Sequence, residues 1–366
     1  MVKVSRKPII CLCAKSINMK TYSGTKRYII ELIKELKKNK KYELVIITAP
    51  ENSIFDKFSI LFIFYSIYKL TGMLLNKKID LLHCPSFAYS YLLPYAKMFG
   101  VKTAITVVDV PKTTETRYME NSILDCIRIK LYAFLMRFSD YFFAISKLNV
   151  KRLQEEMGIN KKRIFLFSLG VDKRFSPMKV ERQNFVIGYL GGKITVLNLK
   201  YALKLINAFK KFNKTHKDSF LIITGVDKFN IIPNYIKKIN DEHIKHIRFV
   251  PEEEIVRFYN SLDVFVFPSI YEGFGLPIME AKRCGIPVLL MKNAMISDEV
   301  KKHSLFYESE DDLIEILDSL YKNKELLKEI GKKSYLYAKK FTWKSSAKAV
   351  IEGYDAILKL NDVFGR

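Results

Sequence analysis

Glu272 and Glu280 stand eight residues apart in YEGFGLPIME (271–280), around a Gly-Phe-Gly-Leu-Pro turn, in a 366-residue chain with 62 basic and only 38 acidic side chains. Pro268 and Ser269 close an apolar run that reads as a buried strand. Gly273 and Gly275 permit a tight loop, and Pro277 suits the first turn of a helix running to about Cys284. Backbone amides opening such a helix would point out of the strand's carboxyl edge, where open α/β sheets bind ligands. The outline is that of a diphosphate or sugar-phosphate site. Glu280, one turn inside the helix, can accept hydrogen bonds from vicinal hydroxyls such as a ribose diol, and Glu272 lies in the loop itself. Taken alone, two acids near a helix start are also what the helix dipole favours in any protein. The surrounding stretch is what gives this pair its chemistry.

Positioning such a loop requires a sheet. Short apolar runs such as PIICLCA, YELVIITAP, VKTAITVVDV, DYFFAIS, FVIGYLGG, FLIITG, IRFVP, DVFVFPS and GIPVLLM are mostly bounded by Gly, Pro, Asp or Ser and alternate with helical patterns. That is repeated β-α-β, an α/β fold with parallel strands buried on both faces. The length suits two domains of about 150–180 residues. With 49% hydrophobic and 27% charged residues, both can hold a core. A break near SPMKVERQNF (176–185) predicts domains at 1–178 and 179–347, with a last helix, about 348–366, rejoining the first. GTKRYIIELIKELKKNKKYE reads as a helix with Tyr28, Leu32 and Leu36 on one face.

The five cysteines lack paired Cys-x-x-Cys spacing, and the apolar stretch after the basic N-terminus is short and without a convincing cleavage site. Buried thiols in a cytoplasmic protein are expected. Residues 1–180 hold 32 basic and 14 acidic side chains, against 30 and 24 in 181–366, so the first half carries +18 of the +24 net charge. FSILFIFYSIYKLTGMLL (58–75) is unusually apolar, but Lys69 and Gly72 argue against a span. It reads either as a buried helix or as one lying at a membrane interface. His243 and His246 have the spacing of one helix face, without partners at metal-ligand spacing.

RFVPEEEIVRFYNSLDVFVFPSIYEGFGLPIMEAKRCGIPVLLM closely resembles the C-terminal signature of the GT4-type retaining glycosyltransferases, also called group 1. SGTKRYIIELIKEL (23–36), DLLHCPSF (80–87), AISKLNVKRL (144–153), SLGVDKRFSP (168–177), NLKYALKLINAFKKF (198–212) and FTW (341–343) fall in the family's order. The resemblance implies a GT-B fold of two facing Rossmann-like domains with a cleft between them. It also implies sugar transfer from a nucleotide-diphosphate sugar, with retention of configuration and without a required metal; the chain contains no Asp-x-Asp. Carried over by position, Glu272 and Glu280 match the family's Glu-x7-Glu pair, and Glu280 would bind the ribose. Gly24 would bring backbone close to the donor phosphates, while Glu272 and the amides of Phe274, Gly275 and Leu276 would hold sugar and phosphate. No protein nucleophile is assigned, because front-face attack within an ion pair is the family's favoured account.

The chain departs from the family twice. Val108 stands where a histidine usually precedes Asp109, which keeps its place as a catalytic candidate. Gly192 and Leu197 occupy the positions of a basic diphosphate clamp, leaving Lys193 as the nearest replacement and Lys200 as the second. His83, beside a strand end, is a candidate acceptor contact. The basic, apolar first half suggests an anionic membrane surface and a lipid-linked or other membrane-associated acceptor. Nucleic acid is a rival reading of +24, yet the aromatics lie in apolar runs and no base-reading motif is visible. A non-catalytic family member is the other.

Overall fold

The computed structural model describes residues 6–15, 24–57, 59–76, 78–110, 123–181, 183–193, 196–227 and 229–363. The chain divides into two compact units, one ending at Gly170 and resuming at Trp343, the other spanning Val171–Thr342. The two crossings lie side by side, since the Val171 amide donates to the Phe341 carbonyl (3.1 Å). The break expected at 176–185 falls inside the second unit. The Asn260 side chain accepts from the Met178 amide (2.7 Å) and donates to the Ser176 carbonyl (3.1 Å), so this stretch is stitched to that unit.

The first unit is built on strands β1 (Ile9–Cys13), β2 (Glu43–Ile47), β3 (Leu81–Cys84), β4 (Lys102–Val107), β5 (Tyr141–Ala144) and β6 (Ile164–Leu166). They form a parallel sheet in the order β2-β1-β3-β4-β5-β6. One face of it, including Cys11 and Ile105, packs with Phe62 and Leu70 of the Ser59–Leu75 helix, Leu93 of the Leu92–Met98 helix, and Met136. Tyr28, Leu32 and Leu36 of the Gly24–Leu36 helix are buried, as its periodicity predicts. Cys11, Cys13, Cys84 and Cys284 are buried thiols, and Cys126 is half-buried.

His83 shows how the chain's last helix is held. It lies on the opposite sheet face, fully buried, with Nδ1 2.6 Å from the Tyr354 hydroxyl of the Trp343–Val363 helix and Nε2 2.8 Å from Thr106 Oγ1. The reading of His83 as an acceptor contact is therefore corrected: both ring nitrogens are engaged inside the unit and the ring reaches no solvent. Burial lowers its pKa to about 3. A histidine held neutral in the fold contributes stability that is complete above its ordinary pKa near 6.5 and is lost as pH falls toward 3. Between pH 7 and 5 the expected loss is about 2 kcal/mol. Trp343, the single tryptophan, is buried in the same unit and reports its unfolding. Urea melts followed by its fluorescence should show a steeper loss between pH 7 and 5 in the native chain than in His83→Gln; equal losses would remove His83 as the cause.

The second unit holds β7 (Phe185–Lys193), β8 (Ser219–Val226), β9 (Ile244–Ile247), β10 (Val264–Phe267), β11 (Val288–Met291) and β12 (Leu305–Tyr307), all parallel, in the order β12-β11-β10-β7-β8-β9. Read from the other edge, chain order runs third, second, first, fourth, fifth, sixth, the doubly wound order that reverses between its first and fourth strands. The strand expected in IRFVP forms slightly earlier, as β9. His246 therefore lies on a strand, its Nε2 2.9 Å from the Gly225 carbonyl, and His243 just precedes that strand rather than sharing a helix face with it.

Candidate active site

The reversal point of the second sheet lies between β7 and β10, and in such sheets ligands bind outside the carboxyl ends of the strands at that point. β7 contributes Lys193 as its last residue, paired with Val226 across a register shift. The side chain of Lys193 lies outside the described residues, as does that of Leu197. β10 is buried along its whole length and delivers the loop holding Glu272. That loop is pinned on both sides. Ser269 Oγ donates to the Tyr271 carbonyl (2.9 Å) and lies 3.2 Å from Asn198 Oδ1. The Met295 amide donates to the Ile270 carbonyl (2.7 Å), and the Glu272 amide donates to the Met295 carbonyl (3.2 Å). Glu272 is half-buried, and its negative charge adds to burial in disfavouring ionisation of the Tyr189 phenol on β7.

Gly275 ends the loop and caps the Leu276–Arg283 helix at φ +95°, a left-handed conformation costly for residues with a Cβ. An added Cβ would also lie 2.9 Å from Ile278 Cδ1. Pro277 occupies the first turn, where its missing N–H costs nothing. Among the described residues, the amides of Phe274, Gly275 and Leu276 donate to no protein acceptor. They combine unpaired donors with the positive end of a helix dipole, the physical requirements for holding an anion.

Glu280 follows one turn later and is only 3% exposed. Its Oε2 accepts a hydrogen bond from the Tyr259 hydroxyl (3.0 Å), and Tyr259 is itself fully buried, with its ring against Phe265. The carboxylate is thus oriented from behind, a contact for which the sequence offers no spacing signal. Lys282, fully buried, donates to the carbonyls of Val300 (2.5 Å) and Lys302 (2.8 Å), and burial lowers its pKa to about 7. It ties the helix to the segment after Met295, the same segment that pins the Glu272 loop.

Residues 186–337 match the family described as Glycosyl transferases group 1, and residues 22–175 match Glycosyltransferase Family 4. The chain belongs to the GT4-type, group 1 glycosyltransferases. Among curated relatives of this group 1 chain, the serotype-specific mannosyltransferase WbdA of Escherichia coli is 24% identical over 249 residues, 60% of this chain and 29% of WbdA. The chain thus spans less than a third of that relative's length. The O-antigen biosynthesis glycosyltransferase WclY of Escherichia coli is 24% identical over 281 residues, 75% of this chain and 78% of WclY. Among solved structures, Anabaena Alr3699/HepE in complex with UDP-glucose superposes with a TM-score of 0.72 at 13% identity, covering 95% of this chain and 99% of that one. That likeness establishes a shared GT-B fold.

The group 1 chain's first unit holds the remaining candidates. Gly24 is the exposed first residue of its helix. Asp109 follows β4, half-buried, with Oδ1 3.2 Å from Arg152 Nη1. Arg152 is nearly buried; it also pairs with Glu156 (3.0 Å) and donates to the Val110 carbonyl (2.7 Å), while Asn149 Nδ2 donates to the carbonyls of Val107 (2.9 Å) and Val108 (3.0 Å). Asp109 therefore belongs to a braced ion-pair network. Among the described residues, no group of three or more His, Cys, Asp or Glu side chains could hold a metal ion.

Proposed function

We propose that this chain transfers a sugar from a nucleotide-diphosphate sugar to a lipid-linked or other membrane-associated acceptor, with retention at the anomeric carbon and without a required metal. The observation that carries the proposal is the reversal point of the second sheet. There, three amides without a protein acceptor open a helix between two carboxylates of different setting, one in the loop and one buried. The amides and helix dipole would take the diphosphate, Glu280 the ribose hydroxyls and Glu272 the sugar hydroxyls. As the bond from the anomeric carbon to the diphosphate oxygen breaks, its electron pair leaves with the diphosphate. The acceptor hydroxyl oxygen then bonds that carbon from the same face and its proton passes to the departing diphosphate oxygen, the amides holding the charge that develops on the leaving group. Lys193, ending β7 at the same reversal point, would supply the cation that the family places at Gly192 and Leu197. Asp109 keeps its role as a catalytic candidate in the first unit. The basic first unit and residues 58–75 would meet an anionic membrane surface.

The UDP-glucose bound by the superposable HepE and the mannosyltransferase activity named for WbdA support the donor class and set the compounds to try. A mass-spectrometric screen of UDP-, GDP- and ADP-sugars, mannose included, paired with calorimetry on the matching nucleoside diphosphates, tests the proposal. One nucleotide should bind and its sugar should be hydrolysed or transferred. Absence of binding by every nucleoside diphosphate would favour a degenerate member and overturn the catalytic reading.

A further inference from the structure

The helices covering one face of the first unit's sheet present apolar side chains to solvent. In the Ser59–Leu75 helix, Phe62, Ser66 and Leu70 point inward, while Ile60, Phe64 and Tyr68, offset by half a turn, are about two-thirds exposed or more (66%, 66% and 72%). The Ile123–Leu135 helix and the turn after it repeat the pattern. Ile127, Leu131, Phe134 and Phe138 recur at steps of four, three and four, which is one helical face, and all are exposed. Between these helices lies Met98, 81% exposed.

The elements form one layer. The Tyr91 hydroxyl meets Ser66 Oγ (2.8 Å), the Tyr95 hydroxyl meets Thr71 Oγ1 (2.8 Å), and Ser90 Oγ donates to the Tyr132 carbonyl (2.9 Å). Two separated stripes on one layer exceed the scattered single apolar residues normal for a protein surface.

Charge decides what covers them. The Ser59–Leu75 helix holds Lys69, with Lys77 and Lys78 just after it; the Leu92–Met98 helix holds Lys97, paired with Asp140 (2.8 Å); the Ile123–Leu135 helix and the turn after it hold Arg128, Lys130 and Arg137 against one acid, Asp125, so basic side chains outnumber acidic ones across the layer. A second copy of the chain would set like charges against each other, and nucleic acid would leave the apolar stripes in water. An anionic bilayer satisfies both features, with apolar side chains below the headgroups and lysine or arginine among them. Among the described residues no helix is long and apolar enough to cross a membrane, so the helices would lie in its plane.

We propose that this layer is a two-limbed docking surface for an anionic lipid bilayer, in which the 127–138 stripe is a second limb beside the 59–75 helix. The proposal rests on the membrane-associated acceptor read above and names the surface that would bring the enzyme to it.

The full chain should co-sediment with phosphatidylcholine vesicles carrying about 30 mol% phosphatidylglycerol, bind neutral phosphatidylcholine vesicles weakly, and release as salt rises. Two double variants separate the limbs: Phe64→Glu with Tyr68→Glu, and Leu131→Glu with Phe134→Glu. Each should lower partitioning at least about ten-fold. Both should keep the native chain's thermal unfolding and nucleoside diphosphate binding. Native-like vesicle binding by the second variant would overturn the second limb. Equal binding of neutral vesicles, no binding at low salt, or a dimer that these variants dissociate would overturn the surface altogether. Failure of the native chain to bind anionic vesicles, with its donor hydrolysis intact, would sink this proposal alone, whereas absence of nucleotide binding by the native chain would sink the catalytic reading.

Discussion

Glu272→Ala is expected to lower kcat/KM for sugar transfer on the order of 10²–10³-fold while leaving the fold intact. Transfer from a diphosphate leaving group develops positive charge at the anomeric carbon. On the proposed reading Glu272 holds the sugar hydroxyls, and such contacts, strengthening as the ring distorts and the bond breaks, stabilise the transition state more than the ground state. The structure pins the Glu272 backbone to Met295 and holds the preceding turn through Ser269. Alanine keeps both of those contacts, since they use the Glu272 amide and Ser269 rather than the carboxylate. The loop should therefore keep its place, and nucleoside diphosphate affinity should fall far less than the rate. Steady-state kinetics with calorimetry and circular dichroism would check this; an unaltered rate would remove Glu272 from the mechanism, and a collapsed melt would make it structural.

Gly331→Ala should destabilise the second unit by a net of about 2–3 kcal/mol. Gly331 lies within the Lys324–Ala338 helix, where alanine normally gains up to about 1 kcal/mol over glycine. Here that gain is overridden. A Cβ would sit 2.2 Å from the Gly285 carbonyl oxygen and 3.2 Å from its carbon, both backbone atoms that cannot rotate away. Gly285 lies just past Cys284, the C-cap of the helix carrying Glu280, and its own φ of +76° restricts the compensating shift. The two helices would have to separate, disturbing the mount of the candidate donor site. Thermal unfolding should fall by several degrees, by about 2–4 °C for each kcal/mol in a unit of this size. An unchanged or raised midpoint would show that the crossing relaxes and that helix propensity wins.

Much of the site was legible before any fold was drawn. Pro268 and Ser269 after an apolar run, then Gly273, Gly275 and Pro277, specify strand, loop and helix start locally. The structure forms these elements, with Gly275 in the left-handed conformation that only a glycine adopts cheaply. The strand runs likewise became two parallel sheets, because residues buried on both faces leave an uninterrupted apolar signature. The exposed face of Ile127, Leu131 and Phe134 is illegible in the sequence for the converse reason. Their period marks an apolar face, and period alone does not say whether that face meets a core or water.

His83 illustrates the same limit. Its place at a strand end is a local fact, but its partners Tyr354 and Thr106 are distant in sequence, and only chain return buries it. Tyr259 gripping Glu280, Lys282 tying Val300 and Lys302, and Asn260 moving the unit boundary belong to this class. By itself the sequence determined the α/β class, the motif loop and the family resemblance, because backbone conformation and strand burial follow from neighbouring residue types. The tertiary structure alone decided which polar side chains are spent inside a unit and which apolar ones remain in water, because hydrogen-bond partners and burial depend on residues 18 to 271 positions away.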